Sequence, residues 1–220
     1  MLTIVKATDL LTDTFHFTIL FVERKLVSLL KEIMMPATSK RERLIEAAKL
    51  QFYQHGFSRS TLAEIAERAQ VPLGNVYYHF RTKDALIEAV IQAHLQELQS
   101  LFARWDLLPD PCQRLIALLR AERENGPSLA RYGCPHGSLV QELDKEESHL
   151  PTAAAQLFQT YLDWAERQFR LLGKDEQEAR DLALDLIASL QGSMLLTANF
   201  RSPALLEHQL QRLEAWLGTL

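Results

Sequence analysis

Residues 61–87 read TLAEIAERAQVPLGNVYYHFRTKDALI, and they carry two short helical patterns separated by a turn. The first pattern repeats apolar side chains at the i, i+3, i+4 and i+7 positions of one face, namely Leu62, Ile65, Ala66 and Ala69. Ser60 or Thr61 precedes this face as an N-cap, and Glu64 is spaced to complete a capping box. The pattern predicts an amphipathic helix that supports a neighbouring one.

The second pattern starts after Gln70-Val71-Pro72, where the first pattern loses its register. Proline suits the first turn of a helix, because its fixed φ matches that position and its missing N–H is not needed there. We therefore expect the second helix to begin near Leu73, with Val76 and Phe80 facing the core. Two helices joined by so tight a turn indicate a helix-turn-helix.

The outward face of the second helix is polar and aromatic, whereas a buried helix would be apolar. Glycine lets a backbone approach DNA closely, and Asn and Tyr side chains can donate to phosphates or base edges. A lysine at the start of the next helix can bind a phosphate together with that helix's N-terminal amides. The expected DNA contacts are Lys40, Thr61, Leu73, Gly74, Asn75, Tyr77, Tyr78, His79 and Lys83. For the tyrosine pair alone, packing against another helix is an equally good interpretation.

A third helical pattern precedes these two and completes a three-helix unit. Its apolar stripe is formed by Ile45, Ala48 and Phe52, and Gly56 is placed as its C-cap. Positive charge on this helix comes from Lys40, Arg41, Arg43 and Lys49.

The whole string resembles the DNA-binding signature of the TetR family of bacterial transcriptional regulators: T-x-x-x-I-A-x-x-A-x-V, then G-x-x-Y-x-H-F, then T/S-K-x-x-L. The residues on that pattern are Thr61, Ile65, Ala66, Ala69, Val71, Gly74, Tyr77, His79, Phe80, Thr82, Lys83 and Leu86. The family usually has glycine where this chain has Gln70, and serine or threonine where it has Pro72. Gln70 must then adopt a left-handed turn conformation without glycine's freedom. The resemblance implies a dimeric repressor.

Composition indicates an all-α protein with a sizeable core. Of the 220 residues 47% are hydrophobic and only 8 are glycine, and β-branched alternation typical of strands is absent beyond residue 22. The net charge of −4 is unevenly divided, because residues 36–85 hold 8 Lys and Arg against 5 Asp and Glu, whereas residues 86–220 hold 12 against 19. Positive charge therefore concentrates where DNA contacts are expected.

We expect three segments: an extra N-terminal segment at 1–35, a helix-turn-helix DNA-binding domain at 36–85, and a helical effector-binding and dimerisation domain at 86–220. The first segment is either an additional helix or the product of a translation start placed too far upstream, and Met34-Met35-Pro36 favours the second interpretation. No run reaches the roughly 20 apolar residues of a membrane span, and no signal peptide is recognisable. The sequence therefore predicts a cytoplasmic protein with no membrane partner.

Cys134 lies in the unusual sequence RYGCPHG of residues 131–137. Cys134 and His136 provide two metal ligands at most, and no glycine-rich turn or orienting acid marks a catalytic nucleophile. A small buried thiol at a helix start is the favoured interpretation. The main alternative is a regulatory thiol whose pKa is lowered by Arg131, His136 and a helix N-terminus, so that a thiolate forms near neutral pH. No metal or cofactor is expected.

Aromatic residues concentrate in the helical pattern that runs from Leu150 to Leu172. They are Phe158, Tyr161, Trp164 and Phe169, and they form either ordinary core or the wall of a pocket. An effector-binding or redox-sensing site would combine Cys134, His136, Tyr161 and Trp164.

The last two helical patterns carry apolar residues on more than one face, so that a second subunit is expected to cover part of them. The stripe assigned to the dimer interface consists of Leu186, Leu190, Met194, Leu206, Leu210 and Leu213. The alternative is a monomer that buries these faces internally.

These observations predict a ligand-responsive transcriptional repressor, not an enzyme, that binds a palindromic double-stranded DNA operator as a homodimer. A small-molecule or electrophile effector would release it from the operator. Two other classes fit less of the sequence: a helical interaction protein with a degenerate DNA reader, and a thiol-dependent enzyme.

Overall fold

The structure, a computed structural model, describes residues 39–145 and 148–220. In these ranges the chain forms ten α-helices and no strand, which confirms the all-α prediction. The helices are α1 (Lys40–His55), α2 (Leu62–Arg68), α3 (Leu73–His79), α4 (Lys83–Trp105), α5 (Pro111–Glu124), α6 (Gly126–Tyr132), α7 (Pro135–Leu143), α8 (Leu150–Leu171), α9 (Glu176–Phe200) and α10 (Pro203–Leu217). The predictions for residues 1–35 concern a part of the chain outside the described residues.

Helices α1, α2 and α3 form the predicted three-helix unit, with caps that follow from the sequence. The hydroxyl of Thr61 accepts from the N–H of Glu64, and the Glu64 carboxylate accepts from the N–H of Thr61, which confirms the capping box. Helix α3 begins at Leu73, directly after Pro72, as predicted. Gly56 has a φ of 85°, the left-handed conformation that favours glycine after a helix.

The turn between α2 and α3 forms despite the two departures from the family pattern. Gln70 has a φ of 54°, which is the left-handed conformation predicted for it. The N–H of Val71 donates to the carbonyl of Ala66 at 3.0 Å, and the N–H of Asn75 donates to that of Pro72 at 2.8 Å. Because backbone hydrogen bonds close the turn, the side chains at Gln70 and Pro72 leave its geometry intact.

Helix α4 is 23 residues long and joins the three-helix unit to the rest of the chain. Thr82 caps its start by accepting the N–H of Ala85 at 3.0 Å. The helix packs against α1 and against α8. Its buried side chains include Leu86 and Ile87 near one end and Phe102 near the other. Beyond α4, the core is built around α8 and α9, which pack against each other and against α5, α6, α7 and α10.

The six residues predicted for the subunit interface lie inside the subunit. Leu186, Leu190, Met194, Leu206, Leu210 and Leu213 are between 0% and 7% exposed in a single chain. The assignment was wrong because α9 and α10 use this stripe to pack against each other and against α5, α6 and α8. The large apolar residues left exposed on these two helices are Leu184, Leu195, Leu196, Phe200 and Leu205, which are 42% to 69% exposed.

Candidate nucleic-acid interface and ligand pocket

The exposed side of α3 is the face predicted to contact DNA. Tyr78 is 84% exposed and Tyr77 54%, whereas Val76 is fully buried. Outside its own helix turn, a Cβ placed on Gly74 would meet no atom of residues 39–145 and 148–220 within 4 Å, so the backbone is open to close approach there. We call the outward residues Leu73, Gly74, Asn75, Tyr77, Tyr78 and His79 the α3 surface.

The remaining predicted DNA contacts lie around this surface. Lys40 is exposed at the first residue of α1, and Thr61 is exposed with its hydroxyl engaged in the capping box. Lys83 differs from the expectation, because it is half-buried, donates to the carbonyl of Phe57 and places its ammonium 4.1 Å from the centre of that ring. Lys83 therefore fastens α4 to the segment that follows α1, and a phosphate would have to compete with this contact.

A cavity of about 380 Å³ lies where six helices meet, and we call it the pocket. Its walls include Tyr53 of α1, Leu98 of α4, Glu122 of α5, Leu129 of α6, His136 of α7 and Tyr161 of α8, together with Cys134 before α7. The structure therefore brings together three of the four residues predicted for a sensing site, Cys134, His136 and Tyr161.

Cys134 is the N-cap of α7, and its sulfur accepts the N–H of Gly137 at 3.3 Å. Burial raises the pKa of the thiol to about 11, and the nearby Glu122 raises it further, while the hydrogen bond from Gly137 acts in the opposite direction. This pKa disfavours the alternative of a thiolate near neutral pH, and the position of Cys134 before α7 agrees with the favoured interpretation of a thiol at a helix start. The helix N-terminus contributes only a hydrogen bond, and Arg131 is exposed and lies against the ring of Tyr132.

His136 and Tyr161 are neutral members of the pocket. Burial lowers the pKa of His136 to about 3, and the neighbouring His94, with ring centres 4.8 Å apart, lowers it further. The hydroxyl of Tyr161 lies 3.3 Å from Nδ1 of His136, and burial raises the pKa of Tyr161 well above its ordinary value. The pair therefore offers hydrogen bonds and ring faces, but no charge, at neutral pH.

Glu122 is a pocket residue that sequence reasoning missed. Burial raises its pKa to about 7, and a hydrogen bond with the side chain of Asn125 lowers it. The signal in the sequence was its position, because Glu122 follows Leu115 by seven residues and Leu119 by three, on the apolar stripe of α5. A carboxylate at a core position of a helix commonly marks a site.

Trp164, the fourth residue predicted for the sensing site, does not line the pocket. Its ring stacks on Phe102 with centres 4.5 Å apart, and its indole N–H donates to Asp106 at 3.1 Å. Including Trp164 in the sensing site was wrong, because it belongs to the aromatic core between α4 and α8. It supports the pocket indirectly, since Phe102 also contacts Tyr161 with ring centres 5.5 Å apart.

Over residues 39–145 and 148–220, His, Cys, Asp and Glu side chains nowhere gather in threes in a way that could hold a metal ion. The same part of the chain contains no helix both long enough and apolar enough to cross a membrane.

Comparisons with known proteins match both regions. Residues 44–90 match the model for bacterial regulatory proteins of the tetR family, and residues 111–211 match that for the C-terminal domain of LmrA/YxaF-like transcriptional regulators. The HTH-type transcriptional repressor DhaR of Mycobacterium sp. (strain GP1) is 30% identical over 172 residues, which are 73% of this chain and 83% of that relative. The chain belongs to the TetR family of bacterial transcriptional regulators.

Solved TetR-family structures share the fold. A TetR transcriptional regulator from Legionella pneumophila has a TM-score of 0.75 at 17% identity, with 84% of this chain and 98% of that chain covered. The reduced form of E. coli NemR has a TM-score of 0.67 at 21% identity, with 79% and 95% covered. An N-terminal helix-turn-helix domain followed by a C-terminal helical domain, as predicted, is therefore the architecture of this TetR-family chain.

The contacts that join the DNA-binding domain of this TetR-family chain to the segments that wall the pocket include two hydrogen bonds to the region around α7. The hydroxyl of Tyr53 on α1 donates to the carbonyl of Gly133 at 3.0 Å, immediately before Cys134. The N–H of Ser58 donates to the carboxylate of Glu142 on α7 at 3.2 Å. Sequence reasoning missed Tyr53 and Glu142, because each acts through a residue about 80 positions away in the chain.

Proposed function

We propose that this TetR-family chain is a cytoplasmic, homodimeric transcriptional repressor that binds a palindromic DNA operator through the α3 surface and releases it when a small molecule fills the pocket. The observation that carries the proposal is the α3 surface itself, where Tyr78 is 84% exposed on a helix whose opposite side is buried. Exposed aromatic, amide and glycine residues on a helix of this kind are suited to contacts with base edges and phosphates in a major groove.

Exposed apolar faces on α9 and α10 support a dimer. Leu195 and Phe200 on α9 are 55% and 69% exposed, and Leu205 on α10 is 42% exposed. Among the described residues, a Cβ on Gly192 would meet no atom within 4 Å outside its own helix turn, so that a second copy of the helix can approach closely. Two such faces related by a two-fold axis would form a four-helix interface. The two α3 helices would then reach successive major grooves about 34 to 36 Å apart, or a multiple of that distance.

The pocket supports release of DNA by a ligand, because one of its walls belongs to the DNA-binding domain. Tyr53 lines the pocket and also bonds to the junction between α6 and α7. A ligand that displaces Tyr53 or Cys134 would change how α1 sits on this junction, and would thereby oppose the DNA-bound arrangement. Coupling free energies of this kind are typically about 1 to 3 kcal/mol.

The pocket favours ligand binding over catalysis and over electrophile sensing. Its thiol is protonated at neutral pH, and the nearby Glu122 carboxylate raises the pKa of the thiol further instead of lowering it. We therefore propose noncovalent binding of the effector.

Selection from random-sequence DNA with the purified protein tests this function. We expect enrichment of a palindrome whose half-sites lie about one helical turn apart or a multiple of it. When the selection is repeated with a cell metabolite extract, we expect less enrichment, because an effector in the extract would bind in the pocket and release the DNA. If no sequence is enriched, the chain is not a sequence-specific DNA-binding protein, and the interaction-protein interpretation replaces the proposal.

A further inference from the structure

Glu122 is placed at the pocket without a cation to neutralise it. None of the ion pairs formed by residues 39–145 and 148–220 includes Glu122, and its hydrogen-bonding partner is the side chain of Asn125. The other carboxylate of the pocket, Glu97, is instead paired with both Lys49 and His94. Glu122 is half-buried, and a carboxylate withdrawn from solvent without an opposite charge costs free energy, so Glu122 is poorly explained as a purely structural residue.

The groups around Glu122 are neutral and largely aromatic. Burial keeps the pKa of Tyr53 at about 12 and that of Cys134 at about 11, and it lowers the pKa of His136 to about 3. Arg104 is the pocket residue that carries a positive charge and forms no ion pair, either with Glu122 or with any other residue of the described ranges, and it is exposed. Above its pKa of about 7, Glu122 therefore gives the pocket a half-buried negative side chain beside ring faces and apolar walls such as Leu98.

We propose that the effector bound in this pocket is an organic monocation, an amine or quaternary ammonium with an aromatic or aliphatic body, whose positive charge lies against Glu122. The proposal rests on the assignment of the pocket as the effector site. A cation would supply the missing opposite charge, and the rings of Tyr53, Tyr161 and His136 would face it with their negative π-surfaces. The apolar walls would bind the body of the ligand.

Three probes of one shape separate charge from size. Benzyltrimethylammonium, neopentylbenzene and benzylsulfonate share a benzyl group and carry a tetrahedral head that is positive, neutral or negative. We expect benzyltrimethylammonium to bind at least about tenfold more tightly than neopentylbenzene, because a buried charge pair is lost in the neutral probe. Benzylsulfonate should bind most weakly. Dissociation constants are measured at pH 8 by calorimetry and by the rise in melting temperature.

Substitutions in α5 test whether Glu122 causes the preference of the pocket for the cationic probe. Glu122→Gln keeps the shape of the side chain but removes its charge, and it should abolish the preference for the cation while leaving the affinity for neopentylbenzene within about twofold. Glu122→Asp should retain the preference, which shows that the charge and not the fold is responsible. Glu124→Gln, an exposed carboxylate two residues along the same helix, is the matched control and should bind all three probes like the wild-type chain.

The inference is overturned if the three probes bind equally or fail to bind, or if Glu122→Gln binds benzyltrimethylammonium as tightly as the wild-type chain. Tightest binding of benzylsulfonate would also overturn it, because Arg104 would then select the ligand. Operator binding by the wild-type chain is measured in parallel without any probe. A chain that binds its operator but shows no cation preference contradicts only this inference, whereas a chain that binds no operator contradicts the proposed function.

Discussion

The α3 surface and the pocket differ in the solvent exposure of their side chains and in how many helices supply them. The α3 surface comes from one seven-residue helix, and its side chains, with Tyr78 at 84% exposure, project into solvent. The pocket draws its side chains from six helices, and burial moves the pKa of Glu122 up to about 7 and that of His136 down to about 3. Local sequence therefore determines the α3 surface, whereas the chemistry of the pocket depends on burial by residues distant in the chain.

The largest effect is expected at the exposed apolar face of α9, which we propose as the dimer interface. If two α3 surfaces must bind the operator together, loss of the dimer also removes DNA binding. Leu195→Glu places one carboxylate per subunit on the exposed face of α9, so two unpaired charges would be buried in a symmetric dimer. We expect folded monomers that no longer bind the operator measurably. Light scattering and anisotropy titrations measure these two effects. Leu107→Glu, at a residue 84% exposed between α4 and α5, is the control and should remain dimeric.

If Leu195→Glu stays dimeric, the interface lies elsewhere. Leu186→Glu should instead unfold the subunit, because Leu186 is fully buried within one chain.

Alkylation of Cys134 tests whether burial, and not neighbouring positive charge, determines the pKa of its thiol. A pKa of about 11 leaves roughly one thiol in 10,000 ionised at pH 7, so iodoacetamide should react with native Cys134 about 100-fold more slowly than with the same residue in urea. The measurement uses a Cys112→Ser background, in which Cys134 is the only cysteine. A native rate equal to or above the unfolded rate would instead favour the regulatory thiolate, which is the alternative interpretation of the sequence.

The pH dependence of stability tests the burial of Glu122. The folded-state pKa of about 7 lies above the ordinary 4.5, so this group contributes stability below pH 4.5 that is lost as the pH rises through 7. From pH 5 to pH 8 the wild-type free energy of unfolding should fall by about 1 to 3 kcal/mol relative to Glu122→Gln. Urea unfolding at the two pH values measures the difference. If the free energy of unfolding changes equally with pH in the two proteins, Glu122 is solvated in the folded chain.

A smaller effect is expected where the pocket meets the DNA-binding domain. Tyr53→Phe removes the hydrogen bond to Gly133 but keeps the ring against Tyr132, whose centre lies 5.3 Å away. We expect operator affinity without ligand to change little, and the coupling between ligand and operator to weaken by about 0.5 to 2 kcal/mol. Operator titrations with and without a saturating ligand measure this coupling. Unchanged coupling would mean that the signal passes through α4 or through the Ser58–Glu142 contact and does not need the Tyr53 hydroxyl.

The sequence predicts the DNA-binding domain in detail because its determinants are local. The capping box of Thr61 and Glu64, the helix start after Pro72 and the left-handed Gln70 each depend on residues within a few positions. Lys83 is the exception, since its contact with Phe57 spans 26 residues and cannot be inferred from helix periodicity.

The pocket and the exposed apolar face of α9 that we propose for the dimer are less predictable, because they depend on contacts between residues distant in the chain. Cys134 and His136 were identified by their unusual local sequence, but the direction of the Cys134 pKa depends on burial by several helices. On α9 the apolar stripe at Leu186 and the second stripe at Leu195 look alike in sequence. Only the packing of α8 and α10 shows that the first stripe is internal and the second exposed.

The most direct test compares two equally exposed residues. Tyr78 and Leu107 are each 84% exposed, and we assign DNA contact to the first and none to the second. We measure the dissociation constants of Tyr78→Ala and Leu107→Ala for the selected operator at fixed ionic strength. We expect Tyr78→Ala to bind about tenfold or more weakly, because one contact is worth about 1 to 3 kcal/mol, while Leu107→Ala binds like the wild-type chain. Wild-type affinity in a folded Tyr78→Ala protein would contradict the assignment of the α3 surface to DNA.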